Sequence, residues 1–141
     1  MNIERPLPIT FPLHGTRLIE ASAGTGKTFT LAALYLRLVL GHGDENGFSR
    51  PLLPPEILVV TFTEAATEEL RERIRDRLAD AARIFADGSA EADDPVLAEL
   101  LNDYSAPDDR ARCAQRLDAA AQWMDEAAIY TIHGFCNRML K

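Results

Sequence analysis

The spacing of apolar residues changes several times along the chain, and each change marks an element. Arg17 to Ala21 (RLIEA) reads as a short strand running into the small-residue stretch that ends at Gly26. Lys27 to Leu40 follows as a helix rich in Leu and Ala, and Gly41 and Gly43 stand where a helix end needs a residue tolerant of positive φ. Glu56 to Phe62 (EILVVTF) is a β-branched apolar run, short enough for a strand buried on both faces. Beyond it Ala66, Leu70, Ile74, Leu78, Ala82 and Phe85 recur at spacings of four and three, while Glu68, Glu69, Arg71, Glu72, Arg73 and Arg75 fill the positions between. That pattern predicts a long helix with one stripe on a core, Thr63 as its N-cap and Asp87-Gly88 as its stop. From Pro95 to Ala128 the chain is Ala-rich and reads as two helices broken at Pro107; Ile129 to Thr131 is a brief strand, and Gly134 to Lys141 opens another helix. Strands alternating with helices predict an α/β fold with a parallel sheet.

The chain has 141 residues, 47% of them apolar, enough for one domain or for a piece of a larger one. Its apolar runs are too short for a membrane span, and its first residues (MNIERPLPITF) have neither the basic nor the apolar region of a secretory signal. Cys113 and Cys136 lie far apart, without further Cys or His at metal-ligand spacing. The expectation is a reduced, cytoplasmic protein with no structural zinc and no membrane partner. The net charge of −7 argues at first against a polyanionic partner. Its distribution changes that picture, because residues 87–128 carry eleven acidic and three basic side chains whereas 129–141 carry two basic and no acidic ones. Outside the acidic segment a polyanion can be accommodated.

Ala21-Ser22-Ala23-Gly24-Thr25-Gly26-Lys27-Thr28 fits the phosphate-binding loop of nucleotide-binding proteins, with a strand before it and a helix after it. Gly24 and Gly26 let successive backbone N–H groups turn inward on an anion, and the helix N-terminus adds a partial positive charge. Lys27 would reach the β- and γ-phosphates of ATP, and the Thr28 hydroxyl would coordinate Mg²⁺. Ala21 stands where the pattern has glycine. A lysine in a first helical turn opposes the macrodipole by roughly 0.3–1 kcal/mol, a cost that a bound polyphosphate would reverse.

Two later segments combine a strand end with hydroxyl and aromatic residues. In Val59 to Ile74, Thr61 and Thr63 could meet phosphate or sugar oxygens and Phe62 could stack on a base, at the edge where open α/β sheets bind ligands. Spacing alone favours Thr63 as a plain cap and Phe62 as a core residue. In Tyr130-Thr-Ile-His-Gly-Phe-Cys136, His133 on its own reads as a structural hydrogen-bonder. Asp125-Glu126 looks like an acid pair for Mg²⁺ but follows a helical run (Ala-Ala-Ala-Gln-Trp-Met) and not a β-branched one, so a catalytic role is not expected of it.

Together LIEASAGTGKTFTLAALYLRL, VVTFTEAATEELRERIR and MDEAAIYTIHGFCNRML resemble superfamily 1 helicases of the UvrD/Rep type, and among them the exodeoxyribonuclease V branch. The resemblance runs over nearly the whole chain. It implies a RecA-like P-loop fold, here a partial motor domain with a helical insertion: 1–86 as the P-loop α/β portion, 87–128 as the acidic helical segment and 129–141 as the return to the α/β core. It further implies an ATP-driven subunit that moves 3′ to 5′ on single-stranded DNA, opens duplex ends and acts as helicase and exonuclease in double-strand break repair with RecC-like and RecD-like subunits. By this carry-over Ala21 to Thr28 hold ATP and Mg²⁺, with Lys27 and Thr28 catalytic. Thr61, Phe62 and Thr63 touch the DNA strand, and Thr131, His133 and Phe135 form a second contact. The chain would be only the opening section of such a protein, binding nucleotide and strand without turnover. Two other readings share the loop: a small-molecule phosphotransferase of the nucleotide-kinase type and a non-catalytic nucleotide-binding module.

Overall fold

The computed structural model describes Leu13 and residues 25–43, 50–88 and 95–139, the first four residues of the 25–43 stretch by backbone only. The expected strand 17–21 and residues 21–24 of the glycine loop lie outside the described residues. Helix α1 spans Thr25–Leu40, and its end is set by Gly41 at φ +70°. The His42 N–H returns to the Arg37 carbonyl at 3.0 Å, the six-residue closure typical of a glycine-terminated helix. The chain then comes back through Pro51–Leu53, where the Leu52 N–H donates to the Leu38 carbonyl at 2.9 Å.

A short 3₁₀ turn at Pro54–Glu56 precedes strand β1, Leu58–Thr61, so the strand starts two residues later than the apolar run predicts. The turn is held by Glu56, whose carboxylate accepts from the Leu53 N–H at 3.0 Å and from Arg50 at 2.7 Å. These bonds hold the Glu56 carboxyl below its ordinary value, the Arg50 hydrogen bond contributing most. The strand is also not buried on both faces: Leu58 and Val60 are 51% and 40% exposed, while Val59 packs against the core.

Helix α2, Glu64–Asp87, leaves β1 at once. Its N-cap is Thr63, whose hydroxyl oxygen accepts from the Ala66 N–H at 3.0 Å, and its end is Gly88 at φ +80°. Leu70, Ile74, Leu78, Ala82 and Phe85 are buried as the periodicity predicts, but Thr67 takes the place expected for Ala66, which is exposed. The stripe begins one residue later because the strand-to-helix turn directs Thr67 toward the Thr61 hydroxyl, 2.6 Å away. Helices α3, Pro95–Asp103, and α4, Pro107–Gln122, follow, with Pro107 opening α4, where its missing N–H costs nothing. Buried alanines on both helices (Ala81 and Ala82, Ala120 and Ala121) accompany the most extensive helix contact of the described residues, α2 against α4.

A second 3₁₀ turn, Met124–Glu126, leads into strand β2, Ala128–Thr131, and then helix α5, Ile132–Met139. The two strands are parallel, with Leu58 opposite Ala128 and Thr61 opposite Thr131. Parallel strands need a long crossover, and α2, α3 and α4 provide it. One hydrophobic core joins Ala33, Leu36 and Val39 of α1, the α2 stripe, Val96, Leu97 and Leu100 of α3, Cys113 and Leu117 of α4, Met124 and Ile129. Arg71 of α2 reaches across to the Met124 carbonyl at 2.8 Å and so fixes the turn before β2. At the far end of the core the buried Arg37 Nε donates to His42 Nδ1 at 3.0 Å. A guanidinium only donates, so Nδ1 is the acceptor and Nε2–H is left to donate to Asp103 Oδ2 at 2.6 Å. That chain ties the end of α1 to the end of α3.

Candidate nucleic-acid interface

The parallel register places both strand ends at one edge. Thr61 and Thr131, seventy positions apart in sequence, are direct partners there, and α2 and α5 both begin at this edge and run away from it. Two helix N-termini therefore face the same side, each contributing partial positive charge from its unpaired N–H groups.

Thr61, Thr63 and Thr131 are bonded within the protein, and the geometry shows how a hydroxyl can serve twice. The Thr131 Oγ1 accepts from the Gly134 N–H at 2.9 Å, capping α5 as Thr63 caps α2. Accepting uses a lone pair and leaves each O–H proton available for an anionic oxygen. Gly134 suits this turn, because a Cβ there would lie 3.0 Å from the Thr131 hydroxyl oxygen. Thr61 is more deeply engaged: its hydroxyl shares a hydrogen bond with the Thr67 hydroxyl at 2.6 Å, and the Thr63 carbonyl lies within reach of both, 3.2 Å from Thr61 and 3.1 Å from Thr67. The Thr61 oxygen also lies 3.4 Å from the Tyr130 carbonyl on the neighbouring strand. Thr61 thus braces the edge, and Thr63 and Thr131 present donors on it.

Phe62 is 83% exposed, which removes the core reading that its spacing allowed. An uncovered aromatic ring at a strand end is costly in water unless a planar or apolar partner takes it. Phe62 itself, with Leu31, Val60, Thr61, Ala66, Glu69 and Leu70, lines a groove of about 230 Å³. His133 is exposed in the first turn of α5 and Phe135 is half-buried behind it. Arg138 lies over the Tyr130 ring, with its guanidinium carbon 4.7 Å from the ring centre. Sequence reasoning missed Arg138, Tyr130 and Thr67; the only signal for Thr67 was its spacing of six residues from Thr61.

Of the loop residues, Ala21, Ser22, Ala23 and Gly24 lie outside the described residues, and Thr25, Gly26, Lys27 and Thr28 form the first turn of α1 by backbone only. That turn contains no acidic residue, so nothing within it neutralises the positive end of a 16-residue helix. An anionic group fits such a terminus, and the donor chemistry of a lysine and a threonine there suits a polyphosphate with its magnesium ion. Phe29, next in the chain, is 44% exposed and carries the Arg77 guanidinium 5.2 Å from its ring centre.

Asp125 and Glu126 occupy the 3₁₀ turn that enters β2, at the opposite end of the strands from Thr61 and Thr131. Both are exposed, and Asp125 is ion-paired with Arg75. They cannot serve chemistry at the carboxyl edge. Among the described residues no group of three or more His, Cys, Asp or Glu is arranged to hold a metal ion, and no helix is long and apolar enough to cross a membrane.

The family described as the UvrD/REP helicase N-terminal domain matches residues 1–141. RecBCD enzyme subunit RecB of Escherichia coli strain K12 is 56% identical over 94% of the chain, and its counterpart in Haemophilus influenzae is 55% identical over 94%. RecBCD enzyme subunit RecB of Mycobacterium tuberculosis strain H37Rv is 38% identical over 92%. The chain spans 11% of the length of each of these three relatives.

Proposed function

Because the chain belongs to the family of UvrD/REP helicase N-terminal domains, we propose that it forms the nucleotide- and strand-holding part of an ATP-dependent DNA helicase subunit of the RecB kind, working in recombinational repair with RecC-like and RecD-like subunits. On this reading the substrates are single-stranded DNA and duplex ends. The observation that carries it is the pairing of Thr61 with Thr131, which sets Phe62, Thr63 and the first turn of α5 along one edge of the sheet.

The bases of a single strand would stack on the exposed Phe62 ring, and its phosphates would take the free protons of the Thr63 and Thr131 hydroxyls. His133 and Phe135 extend the same contact along α5, while Thr61 keeps the two strand ends in register. Residues 21–28 would hold the nucleotide, with the main-chain N–H groups around Gly24 and Gly26 and the Lys27 ammonium meeting its phosphates, and the Thr28 hydroxyl on its Mg²⁺. Bound Mg-ATP supplies the energy of the stroke; the residues described here bind and orient. Hydrolysis requires acids other than Asp125 and Glu126. The two rival readings, a small-molecule phosphotransferase and a non-catalytic module, leave the exposed Phe62 and the second capped strand end without a purpose.

The test is fluorescence anisotropy with a labelled oligothymidine and, separately, a fluorescent non-hydrolysable ATP analogue with Mg²⁺, using the 141-residue chain. Phe62→Ala should weaken oligonucleotide binding by about 5- to 150-fold, the range of one base–aromatic stack, and leave the analogue untouched. Lys27→Ala should do the reverse. An oligonucleotide affinity indifferent to Phe62 would end the strand-contact assignment, and an analogue affinity indifferent to Lys27 would end the nucleotide assignment.

A further inference from the structure

We propose that the groove between the Pro51–Leu53 segment and the outer face of α4 is a docking site for a protein partner, taking a peptide segment in which a large apolar side chain is flanked by carboxylates. The groove encloses about 290 Å³ and is lined mainly by Val39, Leu52, Leu53, Arg112, Arg116 and Ala119. Small-molecule pockets run from roughly 300 to 1,000 Å³, so this one has the capacity of one or two side chains and not of a cofactor. Its floor is apolar, and Leu53 stands 44% exposed at its margin without an apolar cover.

The charge around it is what selects the partner. Residues 87–128 hold eleven acidic and only three basic side chains, yet two of those three, Arg112 and Arg116, line this groove one helical turn apart. The third, Arg110, is packed against Gly88. Arg112 is paired with Asp109 on its own helix but remains 66% exposed, and Arg116 is exposed with no carboxylate partner among the described residues. Guanidinium groups are weakly hydrated and grip carboxylates through two parallel hydrogen bonds, which suits the rim of an apolar cleft. A single-stranded nucleic acid fits less well. Its charge continues beyond two arginines onto a surface of acidic side chains, and the apolar floor offers no donor to phosphate.

The groove is also preformed. The Leu52 N–H is bonded to the Leu38 carbonyl at 2.9 Å, the Glu56 carboxylate holds the Leu53 N–H at 3.0 Å, and the Pro51 ring lies 2.9 Å from where a Gly41 Cβ would stand. Little ordering would be needed on binding, which favours affinity from a small contact. The proposal stands apart from the helicase reading, since none of these residues belongs to the strand edge or the glycine loop.

A random 12-residue peptide library displayed on phage, selected against the 141-residue chain, supplies the probe. The synthetic consensus peptide is then measured by anisotropy against wild type, Arg112→Glu/Arg116→Glu and, independently, Leu53→Glu. The expected consensus places Asp or Glu on both sides of Phe, Trp or Leu, and its affinity falls at least about tenfold in each variant, in the arginine variant from lost charge-assisted hydrogen bonds and in Leu53→Glu from a carboxylate set against the apolar anchor. Thermal unfolding and oligothymidine binding should match wild type, because the arginines are exposed. A consensus without carboxylates, or affinity unchanged in both variants, overturns the proposal. So does a fall in oligothymidine binding in the arginine variant, which would make the groove a nucleic-acid surface, or a self-association that the variants abolish, which would make its occupant a second copy of the chain.

Discussion

At the scale of single residues, side chains of one kind have been given different tasks by their surroundings. Thr63 and Thr131 accept a backbone N–H and keep a proton to give, whereas Thr61 is committed to Thr67. The cysteines divide in the same way. Cys136 is exposed, while Cys113 sits in the core, where burial pushes its thiol up to about 11. At pH 8 one thiol should therefore react with Ellman's reagent in the native protein and two after unfolding in guanidinium; two fast thiols in the native state would contradict the packing of Cys113. Burial disfavours the Cys113 thiolate in the folded state, so its contribution to stability is complete below the ordinary value of 9.0 and is lost as pH rises from there toward 11. Phe62 shows what one residue's spacing cannot decide: a strand-end aromatic with core periodicity stands 83% exposed, because the strand stops at Thr61 and the turn carries the ring past the sheet.

Among the elements, the helix ends were the most legible part of the chain. A glycine at positive φ and a threonine before a helical run are local devices whose physics needs no distant partner. Gly41, Gly88, Thr63 and Pro107 all stand at the boundaries that the sequence predicts. Gly88 carries a further constraint, because a Cβ there would lie 1.9 Å from the Arg110 guanidinium. Gly88→Ala should cost about 1–2 kcal/mol from the left-handed backbone alone, and Thr63→Ala about 1 kcal/mol from the lost cap, both read from urea unfolding. A neutral Gly88→Ala would mean that α2 ends differently in solution. The strand β1 was less legible. An unbroken apolar run does not reveal which face is covered, and here Leu58 and Val60 are largely open while Val59 is packed.

For the molecule as a whole, the joint between α1 and α3 depends on contacts that no local pattern announces. His42 sits between the buried Arg37 and Asp103, sixty-one positions further on, as a neutral relay with its proton on Nε2. His42→Ala and Asp103→Ala should each destabilise the fold, and because they share one bond the double variant should show a coupling of about 0.5–3 kcal/mol in a thermodynamic cycle. Strict additivity would remove the joint. The strand edge is decided at the same scale. By itself the sequence determined the α/β class and the helix stops and caps, because each is written in residues that are neighbours along the chain. Only the tertiary structure decided that Thr61 and Thr131 stand side by side, that Phe62 faces water, that Asp125 and Glu126 lie at the wrong end of the strands, and that two arginines rim one apolar groove. Those facts depend on strand register and helix packing, which are fixed by burying a common core across long separations and not by any short stretch of sequence.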